Sequence, residues 1–362
     1  MNGANDETSR DEANQTAGRP LEGVRVLDLT HYVAGPYCTR LLAEQGASVL
    51  KIERPGGDPI RKWPPFFAGA DEPSLFYHYL NHGKETLTLD LAAPGGRDRV
   101  LELAREADVA VENFRPGTLD RFQLGWDVLH SVNPRLILTS ISNFGQYGPY
   151  REYRAWDIVA DALGGLAYIH GRHNREPLTH GNPQAQYRAG VVAVSATLAA
   201  LFNRGDEGEH VDVSIMECVS ATLRDTILQY TYMGVVRQRS GRVGGVTRAA
   251  DGWVIPSINR DGDFAKFARF LQVPELQDER FATPAGRQLH AAELTRRLQD
   301  VIAKMTMVDF FEGAQKWGFG TGIVMTPAQA LHCEQFLVRN FFEDIEIGPG
   351  RFLPAPRGAV SV

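Results

Sequence analysis

One stretch limits what this chain can fold into: Val24 to Arg54, VRVLDLTHYVAGPYCTRLLAEQGASVLKIER, reads as a complete strand, turn, helix and strand unit. Val24, Val26, Leu27 and Leu29 make a buried strand, and Gly35-Pro36 punctuates the turn after it. Pro36 suits a first helical turn, where its missing N–H costs nothing, and Gln45-Gly46 ends the helix before Val49, Leu50 and Ile52 return as a second strand. Units of this kind bind ligands at the carboxyl ends of their strands, here His31 to Ala34 and Glu53-Arg54. The dinucleotide fingerprint G-x-G-x-x-G is missing from the turn, so an arginine leaving the strand points to a phosphate held by a side chain.

The same alternation continues. Loop PGGDPIRKWPPF places Arg61, Lys62 and Trp63 near the strand ends and is expected to lie over the ligand. Strands are expected at Thr86 to Leu91, Val109 to Val111, Leu136 to Ile141 and Val211 to Ser214, with amphipathic helices between them. The strand Val109 to Val111 ends in Glu112-Asn113-Phe114-Arg115-Pro116-Gly117, a second strand-end site. Strands and helices at this spacing argue for a mainly parallel, doubly wound sheet. EPLTHGNPQAQYRAG is expected to be a loop leading into the apolar helix VVAVSATLAALF, and a long helix after Ser214 to carry the chain out of the first domain.

At 362 residues and 43% hydrophobic composition the chain is long enough for two cores. Residues 1–20 are expected to be a disordered tail, 21–225 a large domain and 243–325 a smaller one with a hairpin at Ala250-Asp251-Gly252 and helices from Asp263, Leu294 and Val308. Residues 326–362, helical from His332 to Phe342, are expected to return to the large domain. A net charge of -6 argues against a broad nucleic-acid surface, so an anionic ligand must be met by a few placed cations. Three cysteines without a CxxC pair fit a reducing cytoplasm and give no metal site. No window of eighteen apolar residues is read, so no membrane span is expected.

VRVLDLTHYVAGP, ASVLKIERPGGD, TLTLDLAAPGG, ADVAVENFRPGTLDRFQLGW, NPRLILTSISNFGQYGPY and WDIVADALGGL together resemble the family III CoA-transferases, which include formyl-CoA and carnitinyl-CoA transferases and α-methylacyl-CoA racemases. The resemblance runs over most of Leu21 to Leu223, with a weaker echo in DGWVIPSI and DERFATPAGR. It implies an α/β fold, with a large Rossmann-like, doubly wound domain and a smaller α+β domain, in an interlocked dimer. It also implies a coenzyme A thioester as substrate, a carboxylic acid as partner and no tightly bound cofactor. Carried over residue by residue, CoA contacts fall on Val33, Ala34, Arg54, Leu89, Asp90, Asn113, Phe114, Arg115 and Arg121. Arg54, Arg115 and Arg121 are forked donors suited to the 3′-phosphate and pyrophosphate of CoA. Arg61 and Lys62 read as solvated, and Leu89 and Phe114 read equally well as core.

Family transferases use one aspartate as nucleophile, in a segment resembling P-P-x-x-x-G-x-P-x-A-D-x-x-x-G. Here that segment is Glu176 to Gly190 and the nucleophile position is Gln186. A neutral amide cannot form the anhydride, although it can orient a thioester carbonyl by hydrogen bonding. The racemase branch needs an acid and a base on opposite faces of the α-carbon, and the resemblance puts its histidine at Trp156, so that pair is absent too. Asp157, His170, His173 and His180 are the remaining candidates. Asp157 is either a relocated carboxylate or a helix-dipole partner and hydrogen-bond anchor, and His180 sits six positions before Gln186. The implied activity is CoA transfer between carboxylic acids. The alternatives are a non-catalytic CoA-binding subunit paired with an aspartate-bearing paralogue, and a diverged acyl-CoA lyase or isomerase.

Overall fold

Six short strands form one parallel sheet in the computed structural model, which describes residues 18–67, 74–171, 174–237, 239, 245–257 and 263–358. The segment expected to be a tail lies mostly outside the described residues, and so does His173. The chain divides into two compact units, one of residues 1–170, 177–237 and 340–362, the other of 171–176 and 238–339.

The first unit opens with β1 (Arg25–Asp28), α1 (Ala34–Glu44), β2 (Ser48–Glu53), α2 (Leu75–Asn81) and β3 (Glu85–Thr88). It continues with α3 (Gly96–Glu106), β4 (Val109–Glu112), α4 (Thr118–Arg121), α5 (Trp126–Val132), β5 (Ile137–Ser142), α6 (Asp157–Leu163), α7 (Gln184–Asn203) and β6 (His210–Ser214). The sheet order is β3-β2-β1-β4-β5-β6, with every neighbouring pair parallel. β4 and β5 are buried along their whole length, so apolar residues stand on both of their faces and neither shows the alternation of a half-exposed strand. One face packs on α1 and α7 through Val26, Leu42, Val109, Val111 and Ile137, and the other on the helices that carry Val100, Leu101 and Leu129 and on Leu124 in the loop between α4 and α5.

Four local expectations change. The third strand stops at Thr88, and Leu89 to Leu91 form the loop beyond it. The segment expected as a loop up to Gly190 is helical from Gln184, because alanines and glutamines favour helix and Asp157 accepts the first-turn N–H of Gln186, Pro183 standing at the N-cap position without a capping bond. Gln186 is therefore a first-turn residue of α7. α7 also meets the length and hydropathy of a membrane span, against the expectation of none, but Ala185, Ala189, Gly190, Ala193 and Ala200 turn one face into the core. The small face is required by close approach: a Cβ on Gly190 would lie 2.8 Å from the Ala34 carbonyl oxygen. This contact brings the start of α7 beside the β1–α1 turn. Finally, the long helix expected after Ser214 is broken into α8 (Ile215–Ser220), a 3-10 turn and α9 (Arg224–Met233), and α9 buries no residue.

The second unit has β7 (Thr247–Arg248) and β8 (Trp253–Ser257), antiparallel across the Asp251-Gly252 turn, and a third antiparallel strand, β9 (Gly320–Ile323). Helices α10 (Asp263–Phe270), α11 (Ala291–Ile302) and α12 (Met307–Lys316) bury Phe267, Leu294, Leu298 and Phe310 in a core of their own. Residues 326–339, expected with the large domain, group with this unit, and the return begins only at Asn340. There the chain is a hairpin, β10 (Phe342–Gly348) with β11 (Arg351–Pro356), which seats Ile345, Ile347 and Ala355 against Leu75 and Tyr79 of the first unit.

Candidate active site

The β1–α1 turn is fixed from below by buried charge. Asp28 is fully buried and accepts from Thr30 N–H (2.8 Å), Thr39 Oγ1 (2.6 Å) and Lys84 Nζ (3.0 Å). Burial opposes its charge, yet Lys84, Lys51 and the two hydroxyls hold the carboxyl far below the usual range. Lys84 is pulled down to about 8 by burial, with Asp28 opposing. Lys51 donates to the Thr30 carbonyl (2.8 Å) and pairs with Asp58 at 3.1 Å, both side chains buried. Asp58 in turn accepts the N–H of Tyr32 (3.1 Å), whose φ of 64° is unusual for a non-glycine residue. His31 and Asn113 exchange two hydrogen bonds, N–H to Oδ1 at 2.8 Å and Nδ2–H to the carbonyl at 2.7 Å. The turn is thus locked to the end of β4.

Two cavities open above this turn and share His31, Tyr32 and Phe114. The first, about 360 Å³, runs under the ends of β1 and β2 past Arg54, Asp58, Leu89, Asp90 and Phe122. The second, about 420 Å³, is lined by Arg115, Ser142, Arg151, Tyr153, Arg154, Trp156 and Gln186 among others. Among the described residues its lining includes three arginines and neither aspartate nor glutamate. Tyr32 packs on Trp63 (centroids 5.6 Å) and edge-on against Trp156 (6.0 Å), an aromatic group where the cavities meet. The His31 imidazole is pushed down to about 4 by burial, with Lys51 and Arg54 adding to the fall and Asp58 opposing it, so the ring is neutral at pH 7.

Two acids on one face of α6 hold the segment leading into α7. Asp157 Oδ1 accepts the N–H of Gln186 at 3.0 Å, and Asp161, one turn later, meets His180 Nδ1 at 3.1 Å. Burial raises the Asp157 carboxyl, Asp161 adds to the rise, and the N–H groups of Gln186 and Ala185 oppose it. Asp157 therefore caps α7, the anchoring role allowed for it in the sequence. The N–H groups at the start of α7 are engaged, which leaves the Gln186 side-chain amide as the donor available to a ligand. His170 packs edge-on against His180 at 4.6 Å, away from the residues lining either cavity.

The scan against family models matches CoA-transferase family III over residues 21–362. The chain belongs to that family. It is 36% identical to the succinyl-CoA–D-citramalate CoA-transferase of Chloroflexus aurantiacus, over 91% of this chain and 84% of that one. It is 34% identical to the succinyl-CoA–L-malate CoA-transferase beta subunit of the same organism, over 94% and 84%. Among solved structures it is similar to a CAIB/BAIF family protein from Brucella suis, with a TM-score of 0.86 and 32% identity over 96% of this chain and 93% of that one.

Within this CoA-transferase-like enzyme the expected CoA residues do not all reach a cavity. Arg54, Leu89 and Asp90 line the first cavity, Asn113 and Arg115 the second, and Phe114 both. Val33 and Ala34 are fully buried and Arg121 lies outside both linings, its Nη2 donating to Thr118 Oγ1 at 2.9 Å. Asn113 has its side chain engaged by His31, so it shapes the turn. Arg61, read as solvated, instead grips buried Glu53 with Nε (2.9 Å) and Nη2 (3.0 Å) over the Tyr77 ring. The sequence reading missed Arg151, Arg154 and the aromatic role of Tyr32. The two arginines sit in REYRAW, where nothing in spacing separates a ligand-facing arginine from a solvated one.

Proposed function

We propose that the chain transfers CoA between carboxylic acids and takes a dicarboxylate as acceptor. CoA lies along the first cavity with its phosphates toward Arg54, Arg115 and Arg121, and its thioester reaches Gln186 in the second. The observation that carries this reading is the pairing of a cleft at the strand ends with a cationic, acid-free cavity, both bounded by His31, Tyr32 and Phe114. Gln186 occupies the nucleophile position and acts by hydrogen bonding to the acyl carbonyl. Named relatives that use succinyl-CoA with D-citramalate or L-malate support a dicarboxylate on each side of the exchange.

The working unit is a dimer in a reducing cytoplasm, without a resident cofactor. Ile227, Leu228 and Tyr230 on α9 are exposed apolar surface available to a partner, and the three cysteines are free. A second reading, a subunit completed by an aspartate-bearing paralogue, is favoured by the family relative named as a beta subunit.

The test is calorimetry of the purified chain with CoA, followed by mass-spectrometric assay of succinyl-CoA with D-citramalate or L-malate. Binding with formation of the acceptor thioester is expected. Binding without transfer would favour the subunit reading, and absence of binding would remove both.

A further inference from the structure

The second cavity poses a chemical problem that the transferase reading leaves open. Transfer of CoA needs a carboxylate nucleophile, and among the described residues no aspartate or glutamate lines the cavity that Gln186 borders. The nearest carboxylates stand outside that lining: Asp157 accepts the N–H of Gln186 through Oδ1, and Asp161 meets His180 through Oδ2 while its Oδ1 is buried without a hydrogen-bond partner. Donors, by contrast, are in surplus. Ser142 is 6% exposed and its hydroxyl is buried without a hydrogen-bond partner. Arg151 lies 3.2 Å from Glu152 (Nε···Oε1) without hydrogen-bond geometry, and its buried Nε is left unsatisfied. Glu152 is two-thirds exposed, so that pairing is weak. Arg115 gives one N–H to the Glu152 carbonyl at 3.2 Å. Unsatisfied buried donors beside two further guanidinium groups describe a place for an anion.

We propose that Arg151, Arg154 and Ser142 form the acceptor site, and that the bound acceptor's own carboxylate is the nucleophile. The inference rests on the transferase reading and changes its mechanism from an enzyme-bound intermediate to a ternary complex. A carboxylate oxygen of the acceptor attacks the acyl-CoA carbonyl, the C–S bond breaks, and CoA leaves as thiolate. The two acids are then joined as a mixed anhydride. The thiolate attacks the acceptor's carbonyl in that anhydride, the C–O bond breaks, and the donor acid leaves as a carboxylate carrying the bridging oxygen. No proton or electron is consumed. Gln186 donates its side-chain amide to the oxyanion of each addition, the task for which a neutral amide is suited.

The oxygen supplies the test. In a single turnover of the full-length protein with succinyl-CoA and D-citramalate labelled with ¹⁸O in its carboxylates, the released succinate is expected to carry one ¹⁸O. Unlabelled succinate formed together with citramalyl-CoA would overturn the proposal and leave the transferase reading standing, because the oxygen would then come from a protein carboxylate. A borohydride-trapped protein adduct would have the same meaning. No transfer to any dicarboxylate would overturn both. Arg151→Ala and Arg154→Ala are each expected to raise the acceptor KM about tenfold, with the succinyl-CoA KM within about twofold, as loss of a charge-assisted carboxylate contact requires. A rise confined to the succinyl-CoA KM would assign these arginines to CoA and overturn the acceptor site.

Discussion

The turn above β1 and the start of α7 border the same cavities and are built in opposite ways. Beneath the turn, Asp28 with Lys84 and Asp58 with Lys51 bury full charges against one another, and these acids reach the backbone of Thr30, Tyr32 and Ile60. Around Gln186 the buried polar atoms of Ser142 and Arg151 lack partners. Buried ion pairs add little net stability against apolar replacements, but they fix geometry and make loss of one member costly. Unsatisfied donors cost stability until a ligand meets them. The first region is therefore held by buried charges of both signs, although Asp58 Oδ2 lies 3.1 Å from Lys51 without a hydrogen bond, whereas the second offers unmatched donors and positive charge to a substrate.

Breaking the lower network gives the largest effect. Lys84→Ala leaves Asp28 buried without its closest cation, and a loss of about 3–5 kcal/mol in urea unfolding is expected. A loss below about 1 kcal/mol would mean that Lys51 and the two threonine hydroxyls suffice and that the turn is less dependent on charge than described.

The turn also sets a pH dependence whose sign is fixed. His31 falls from an ordinary 6.5 to about 4 in the folded protein, so its contribution is present above pH 6.5 and is lost as pH falls toward 4, where the unfolded chain takes up the proton first. About 3 kcal/mol of acid-side stability loss is expected to disappear in His31→Gln, followed by thermal unfolding across that window. An unchanged slope would place the acid sensitivity elsewhere.

At the other region the effect is smaller and chemically specific. Asp157→Ala uncaps α7 and is expected to cost about 1–2 kcal/mol in stability, together with a fall in kcat as Gln186 shifts. Asp157→Asn keeps an acceptor oxygen and is expected to restore stability. If it restores stability but not kcat, the charge of Asp157 matters in its own right and the carboxylate is more than a cap.

How far the sequence could be read follows the same division. Strands β1, β2, β4, β5 and β6 were legible because short runs rich in Val, Leu and Ile stand between helical spacings, and Gly35-Pro36 falls in the first turn of α1, one residue after its start. The start of α7 was not legible. Pro183 and the glycine and asparagine before it suggest a loop through Gly190, and the acceptor that ends the loop early is Asp157, 29 residues away. Arg61 was misjudged for a similar reason, since its partners Glu53 and Tyr77 come from β2 and α2. Local punctuation can be read from spacing, whereas a cap or fork supplied from elsewhere in the chain cannot.

The smallest expected effect separates two arginines that the sequence treats alike. Arg54 leaves β2 into the first cavity, and its one hydrogen bond, Nε to the Gly57 carbonyl, is long at 3.4 Å. Its fork is therefore open to a phosphate at little reorganisation cost. Arg121 is exposed on α4, outside both linings, and already donates to Thr118. Reaching the same ligand requires it to give up that bond and to work in solvent, where screening weakens it. Arg54→Ala is expected to weaken CoA binding in calorimetry about tenfold and Arg121→Ala about twofold, with both losses shrinking as salt is raised. Equal losses would show that the phosphate end of CoA lies over α4 as much as over β2, and would extend the pre-built region beyond the cavity that defines it now.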